Sequence, residues 1–211
     1  MEINPTTLPH QSIYKILTGS VLPRPIGWIS SIDLGGRPNL APFSFFNAVC
    51  SNPPTVLFCS SIRGSDGKTK DTLNNVRATS EFVVNIVTEE LLQAMNASSI
   101  EAPSDFDEFD YAGLTLAPSV VVKPPRVAES PIHFECKLRE IIEIGNEPGG
   151  GSIVIAEPGL RVAIAASNTV ITTVAATTRN MFFHRSAIQL ATRAPAMPDG
   201  GDSADDVMIV T

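Results

Sequence analysis

Hydroxyl, amide and charged side chains punctuate the apolar stretch from Pro23 to Thr72 at the places where strands should end. Ser30 and Ser31 close one apolar run, and Ser44 and Asn47 interrupt the next. Ser60, Ser61 and Arg63 finish a third, and Lys70, Asp71 and Thr72 open a helical pattern. A phosphate at that helix opening would gain main-chain N–H donors, the positive end of the helix dipole, two hydroxyls and one or two cations. The same residues also read as ordinary strand ends, with Asp71 and Thr72 capping the helix and Lys70 solvated. Residue types alone leave both readings open.

Other routes to chemistry lack the residues they need. No GxGxxG follows a strand and no GxxxxGK[ST] occurs, so neither a dinucleotide fingerprint nor a P-loop is supported. Gly149-Gly150-Gly151 lies between two strand patterns rather than before a helix, which makes it a hairpin turn. His10, His133 and His184 stand far apart with no Cys or His at ligand spacing, so no metal site is expected. A nucleophilic triad has no local signature.

The elements that must position these groups are mostly strands. Ile26 to Asp33 is apolar and β-prone, Leu34 to Pro38 supplies a turn, and Asn39 to Val49 returns as the second arm of a hairpin. Ser51 to Pro54 breaks the chain before Thr55 to Ser60, a buried-strand pattern. A polar loop leads to a helix over about Thr69 to Thr79, with Thr69 or Asp71 as its N-cap. Phe82 to Val87 is a further strand, Glu89 to Ala97 looks helical, and the acidic run Ser104 to Asp110 is a solvated loop or short helix. Strand candidates continue through Ile132 to Leu138, Arg139 to Ile144 and Ser152 to Ile155. Many strands with short connections predict a mainly β fold, an antiparallel barrel with short peripheral helices rather than a doubly wound sheet.

Composition narrows the partners. A chain of 211 residues, 43% hydrophobic, can bury one sizeable core. Its net charge of -7 offers no broad basic face, so neither a nucleic acid nor a membrane is an expected partner. Cys50, Cys59 and Cys136 are odd in number and widely spaced in apolar runs, which fits a reducing, cytoplasmic setting. The sequence shows neither a signal peptide nor an apolar run of about 18 residues.

Six blocks in register resemble one known family. They are Arg24 to Asp33 (RPIGWISSID), Gly36 with Asn39, Ala41 to Asn47 (APFSFFN), Pro53-Pro54, Lys70-Asp71-Thr72, and Glu81 to Asn85 (EFVVN). Ala112-Gly113-Leu114 and the Ser130 to Leu138 strand add to the match. Together they resemble the flavin reductase-like family with the FMN-binding split β-barrel, over roughly residues 10 to 155. The resemblance implies a domain over 10–157 and a homodimer holding FMN, tightly bound or exchangeable, near the subunit interface. It places Ser30, Ser31, Ser44 and Asn47 along the flavin ring and ribityl chain. Ser60, Ser61, Lys70, Asp71 and Thr72 would surround the phosphate, with Asp71 capping the helix and Arg24 reaching the phosphate or a carboxylate. Trp28 packs either beside the flavin or in an ordinary core. The implied activity is NAD(P)H-dependent flavin reduction by hydride transfer to flavin N5, with an acceptor monooxygenase or other redox protein downstream. An FMN electron carrier without nicotinamide activity, and a degraded relative that binds no flavin, are the alternatives.

The resemblance stops at Glu157. No Lys, Glu, Trp or Tyr occurs beyond that residue, although all four occur before it. The 158–211 segment reads either as a product of a shifted reading frame or mis-spliced exon, or as a divergent, lineage-specific tail. Val162 to Ile171 could form a strand or helix, and Pro195 to Asp206 has the composition of a disordered segment. Loss of the family's last strands would leave sheet edges unpaired and the flavin pocket incomplete.

Overall fold

Period-two alternation in the first strands sends successive side chains to opposite faces, and the two faces bury different cores. The structure is a computed structural model that describes residues 4–164. Strand β1 (Gly27–Ile32) contributes Ile29 to one core and Trp28 to the other. β2 (Pro38–Phe43) pairs antiparallel with β1, and a turn with Gly36 at φ +84° joins them. The expected single arm over Asn39 to Val49 is instead two strands, because the chain breaks at Ser44-Phe45 and β3 (Phe46–Ser51) pairs with β4 (Pro54–Ser61). β2 and β3 thereby become the two edges of one seven-stranded antiparallel sheet, ordered β2-β1-β5-β8-β9-β4-β3.

Here β5 is Glu81–Asn85, β8 is Ile132–Gly145 and β9 is Gly151–Ile164, while β6 (Leu116–Ala117) and β7 (Arg126–Val127) form a separate small ribbon. The two runs read between Ile132 and Ile144 are one long strand, bent by register shifts at three places along its pairing with β9. Such bulges strengthen twist and curl a sheet. The curl brings β2 back against β4, where the Phe43 and Phe58 rings lie 4.8 Å apart. Inside it sits a core of Ile29, Phe43, Phe58, Phe82, Val84 and Val154, closed by Leu73 and Val76 of helix α2 (Asp71–Thr79). The fold is the mainly β split barrel expected from the sequence.

The second core buries Trp28, Leu40, Met95, Phe109 and Val127 outside the barrel, under α3 (Leu92–Ala97) and α4 (Glu108–Tyr111). Trp28 is fully buried and its indole N–H donates to Ser98 Oγ at 2.8 Å, so it is a core tryptophan that anchors the chain after α3. Helix α1 (His10–Ser20) buries none of its residues.

Pro158 to Ile164 does not abandon the sheet. It continues β9 against β8 in the pairs Phe134↔Val162, His133↔Ala163 and Ile132↔Ile164. Among the described residues β4 covers β9 only as far as Ala156, so the 157–164 stretch is paired with β8 alone. Both the remainder of the Val162 to Ile171 reading and the Pro195 to Asp206 reading lie outside the described residues. Among the described residues, no helix is long and apolar enough to cross a membrane.

Candidate functional site

Strand β4 and helix α2 together set the polar end of the site. β4 buries Val56 and Phe58 inward, and residues 62–70 separate it from α2, in a loop tied back by Arg63 N–H to Lys68 O at 2.8 Å. No side chain caps α2, whose N-cap position is Lys70. The expected caps are occupied elsewhere: Thr69 Oγ1 donates to Asn74 Oδ1 at 2.7 Å, and the Asp71 carboxylate turns to Arg63 Nη1 at 3.5 Å. Leu73 N–H turns back to Lys70 O at 3.0 Å, which leaves the Asp71 and Thr72 N–H groups at the start of α2 to a ligand or to water.

These groups open into a cleft of about 940 Å³, within the usual range of small-molecule sites. Ser61, Arg63, Lys70, Asp71 and Thr72 line its polar end, and Ile13, Tyr14, Leu17, Pro42, Phe45 and Ile100 supply apolar wall. Tyr14 and Phe45 meet edge to face with centroids 6.4 Å apart, joining α1 to the corner between β2 and β3. At the far lip the His10 ring lies against Gly149, where an added Cβ would come within 3.0 Å of it. Gly149 also has φ +91°, so this turn requires glycine on two grounds.

Two cations, Lys70 and Arg63, stand at the α2 end beside the carboxylates of Asp71 and Glu101. Burial holds the Lys70 ammonium below its ordinary lysine value; the Glu101 carboxylate opposes that effect and Arg63 reinforces it. Lys70 Nζ also lies 5.4 Å from the centre of the Phe43 ring. Arg63 Nε is buried without a hydrogen-bond partner, although Asp66 Oδ1 is 3.3 Å away. Glu108 is pushed above the usual carboxylate range by burial, against a hydrogen bond from Leu40 N–H at 3.2 Å.

The structure brings together only part of the residue set expected from the sequence. Ser61, Lys70, Asp71 and Thr72 share the cleft. Thr72 Oγ1 accepts from Asn39 Nδ2 at 2.9 Å, which leaves its own O–H to donate. Ser31 stands behind that pair, its hydroxyl accepting from Asn75 Nδ2 at 3.1 Å and Asn39 Nδ2 at 3.5 Å. Ser30, on the opposite face of β1, donates to Pro125 O at 2.5 Å and accepts from Asn85 Nδ2 at 3.1 Å. Ser44 sits at the corner beside Phe45, Asn47 is exposed on edge strand β3, and Ser60 is buried with its hydroxyl unpartnered. Arg24 stands at the other end of α1, where its guanidinium donates to the carbonyls of Thr18 and Val21.

Several lining residues carried no assignment in the sequence. Arg63 was visible only as the end of a strand, and Tyr14, His10 and Glu101 reach the cleft from segments whose spacing gives no signal. Trp28 is the indirect clue to Glu101, since its bond to Ser98 fixes the 98–102 segment at the cleft.

Comparison with known proteins follows the same outline. The family model described as "Flavin reductase like domain" matches residues 18–157. An uncharacterized protein of Halalkalibacterium halodurans is 44% identical over 149 residues, covering 71% of each chain. Among solved structures, nitrilotriacetate monooxygenase component B from Bacillus cereus is 34% identical with a TM-score of 0.73, over 79% of this chain and 82% of that one. The 2-nitrobenzoate 2-nitroreductase of Pseudomonas fluorescens is 31% identical with a TM-score of 0.68, over 78% and 76% respectively.

Proposed function

Since the chain belongs to the flavin reductase-like family, we propose that its cleft binds FMN and that the loaded protein is an NAD(P)H-dependent flavin reductase. The observation that carries this reading is the uncapped start of α2 facing a cleft with Lys70 and Arg63 at one end and an apolar wall beyond. That donor set matches a flat, largely apolar ring joined to a phosphate.

Lys70, Arg63, Ser61 and Thr72 would hold the phosphate together with the α2 main chain, and Asn39 orients the Thr72 hydroxyl. Asp71 cannot favour a dianion; its part is to steady Arg63. Phe45, Tyr14 and Pro42 would shield the ring from water, whereas Ser44 is half-buried next to Phe45 and does not line the cleft. Ser30 and Asn85 act at a distance by fixing β1 against β5 and the 125–127 segment. Bound flavin supplies the redox chemistry by accepting a hydride from a reduced nicotinamide. The protein's contribution is positioning and exclusion of water, which needs no catalytic acid or base.

Exposed apolar residues on α1, just beyond its end and on edge strand β3, such as Leu17, Val21 and Val49, support a homodimer. The names of the two structural relatives, a monooxygenase component and a nitroreductase, support a monooxygenase or another redox protein as electron acceptor. Anaerobic stopped-flow mixing of the FMN-loaded protein with NADH and NADPH tests the activity. Loss of the flavin's visible band with at least one donor is expected; an unchanged band with both overturns the reductase and favours an electron carrier.

A further inference from the structure

Beside the cleft lies a hollow of about 580 Å³ that shares Arg63, Asp71 and Glu101 with it and adds Ser65, Asp66 and Ser104. We infer that this site takes NADH in preference to NADPH, because the hollow and the cleft rim present carboxylates around cations that one phosphate already engages. The inference rests on the reductase reading and names the donor that reading leaves open.

The charges around the rim favour a neutral ribose. Arg63 is held between Asp66 Oδ1 at 3.3 Å and Asp71 Oδ2 at 3.5 Å. Lys70 is the other cation lining the cleft, and a flavin phosphate at α2 would engage it with Arg63. Lys68 reaches Asp66 Oδ2 only at 3.9 Å and is 74% exposed, so water and salt screen it. Glu101 is fixed toward the hollow by a hydrogen bond from the Ser65 hydroxyl. A 2′-phosphate would bring roughly 1.5 to 2 further negative charges to this rim. The 2′- and 3′-hydroxyls of NADH can instead donate to Asp66 or Glu101.

Two carboxylates facing a phosphate in a partly solvated hollow are enough for at least about a tenfold preference. That preference should narrow as salt rises, since exposed charges are screened within about 10 Å at 0.1 M.

The test measures kcat/KM of the FMN-loaded full chain with NADH and with NADPH at low and high salt. It repeats the comparison in the double variant Asp66→Asn, Glu101→Gln, which keeps an acceptor oxygen for Lys68 N–H and for Ser65. Calorimetric titration with ADP-ribose and with 2′-phospho-ADP-ribose gives the same comparison without turnover. The expected result is NADH favoured at least about tenfold at low salt, with a ratio at least about threefold smaller in the double variant, and tighter binding of ADP-ribose. NADPH equal or better, or a ratio the double variant leaves unchanged, overturns the inference while leaving the reductase in place. If neither donor bleaches the flavin, the reductase itself falls, and the calorimetric comparison alone then decides the nucleotide preference.

Discussion

Replacing Lys70 by Met separates the phosphate site from the rest of the cleft. The Lys70 ammonium lines the polar end of the cleft at the uncapped start of α2, with Nζ 5.4 Å from the centre of the Phe43 ring. Methionine keeps a long apolar side chain there and removes the charge together with its cation–π contact. A charge-assisted hydrogen bond is worth about 1.5–3 kcal/mol, which is about a 10- to 150-fold loss of affinity for FMN. Riboflavin lacks the phosphate, so its affinity should change by less than about twofold. Burial of the ammonium opposes its charge in the free protein and the lost cation–π contact offsets that relief, so the variant should unfold within about 1 kcal/mol of the parent. The assay is quenching of flavin fluorescence on titration of cofactor-free protein with each flavin, with a urea melt alongside. Equal losses for FMN and riboflavin, or FMN affinity within about twofold of the parent, would refute a phosphate contact at Lys70.

The same ammonium gives a pH signature: FMN affinity should fall as pH rises through the lowered Lys70 value, below the ordinary lysine range, and fluorescence titrations of Lys70→Met should lack that step. Stability runs the other way, because deprotonation of a buried lysine relieves its burial cost as pH rises. Gly151→Ala would put a Cβ 2.6 Å from Ser60 O and 2.9 Å from Ser61 Cα, so it should cost about 1–3 kcal/mol in urea unfolding and weaken FMN binding by displacing Ser61. Glu135 is 1% exposed and accepts the N–H groups of Val120 and Val121 at 2.6 to 3.0 Å, with Arg126 Nε at 3.9 Å. Glu135→Ala should therefore cost about 3–5 kcal/mol in the same melt, and Glu135→Gln clearly less.

The parts of this molecule legible in the sequence were those carried by local pattern. Alternation and turn residues gave β1, β4, β5 and the Gly149 to Gly151 turn, and the start of α2 announced itself through Lys70, Asp71 and Thr72. What stayed hidden depended on long-range pairing. Nothing local distinguishes one strand over Asn39 to Val49 from two strands at opposite edges of a curled sheet, although that break puts Phe45 at the cleft. Strand parity also separates neighbours that look equivalent as letters: Ser30 and Ser31 face opposite cores, and Ser60 and Ser61 diverge in the same way. Arg24, expected at the phosphate or a carboxylate, donates to the carbonyls at the C-terminal end of α1, a partnership that no local pattern announces. Capping failed as a guide because Thr69 and Asp71 turn instead to Asn74 and Arg63.

A crystal structure of the FMN-saturated protein bears most directly on the flavin site. The phosphate should lie within hydrogen-bond distance of the first-turn N–H groups of α2 and of Lys70, with the ring along the wall that holds Phe45. A flavin phosphate bound away from α2, or crystals grown in excess FMN with no flavin in the cleft, would contradict it.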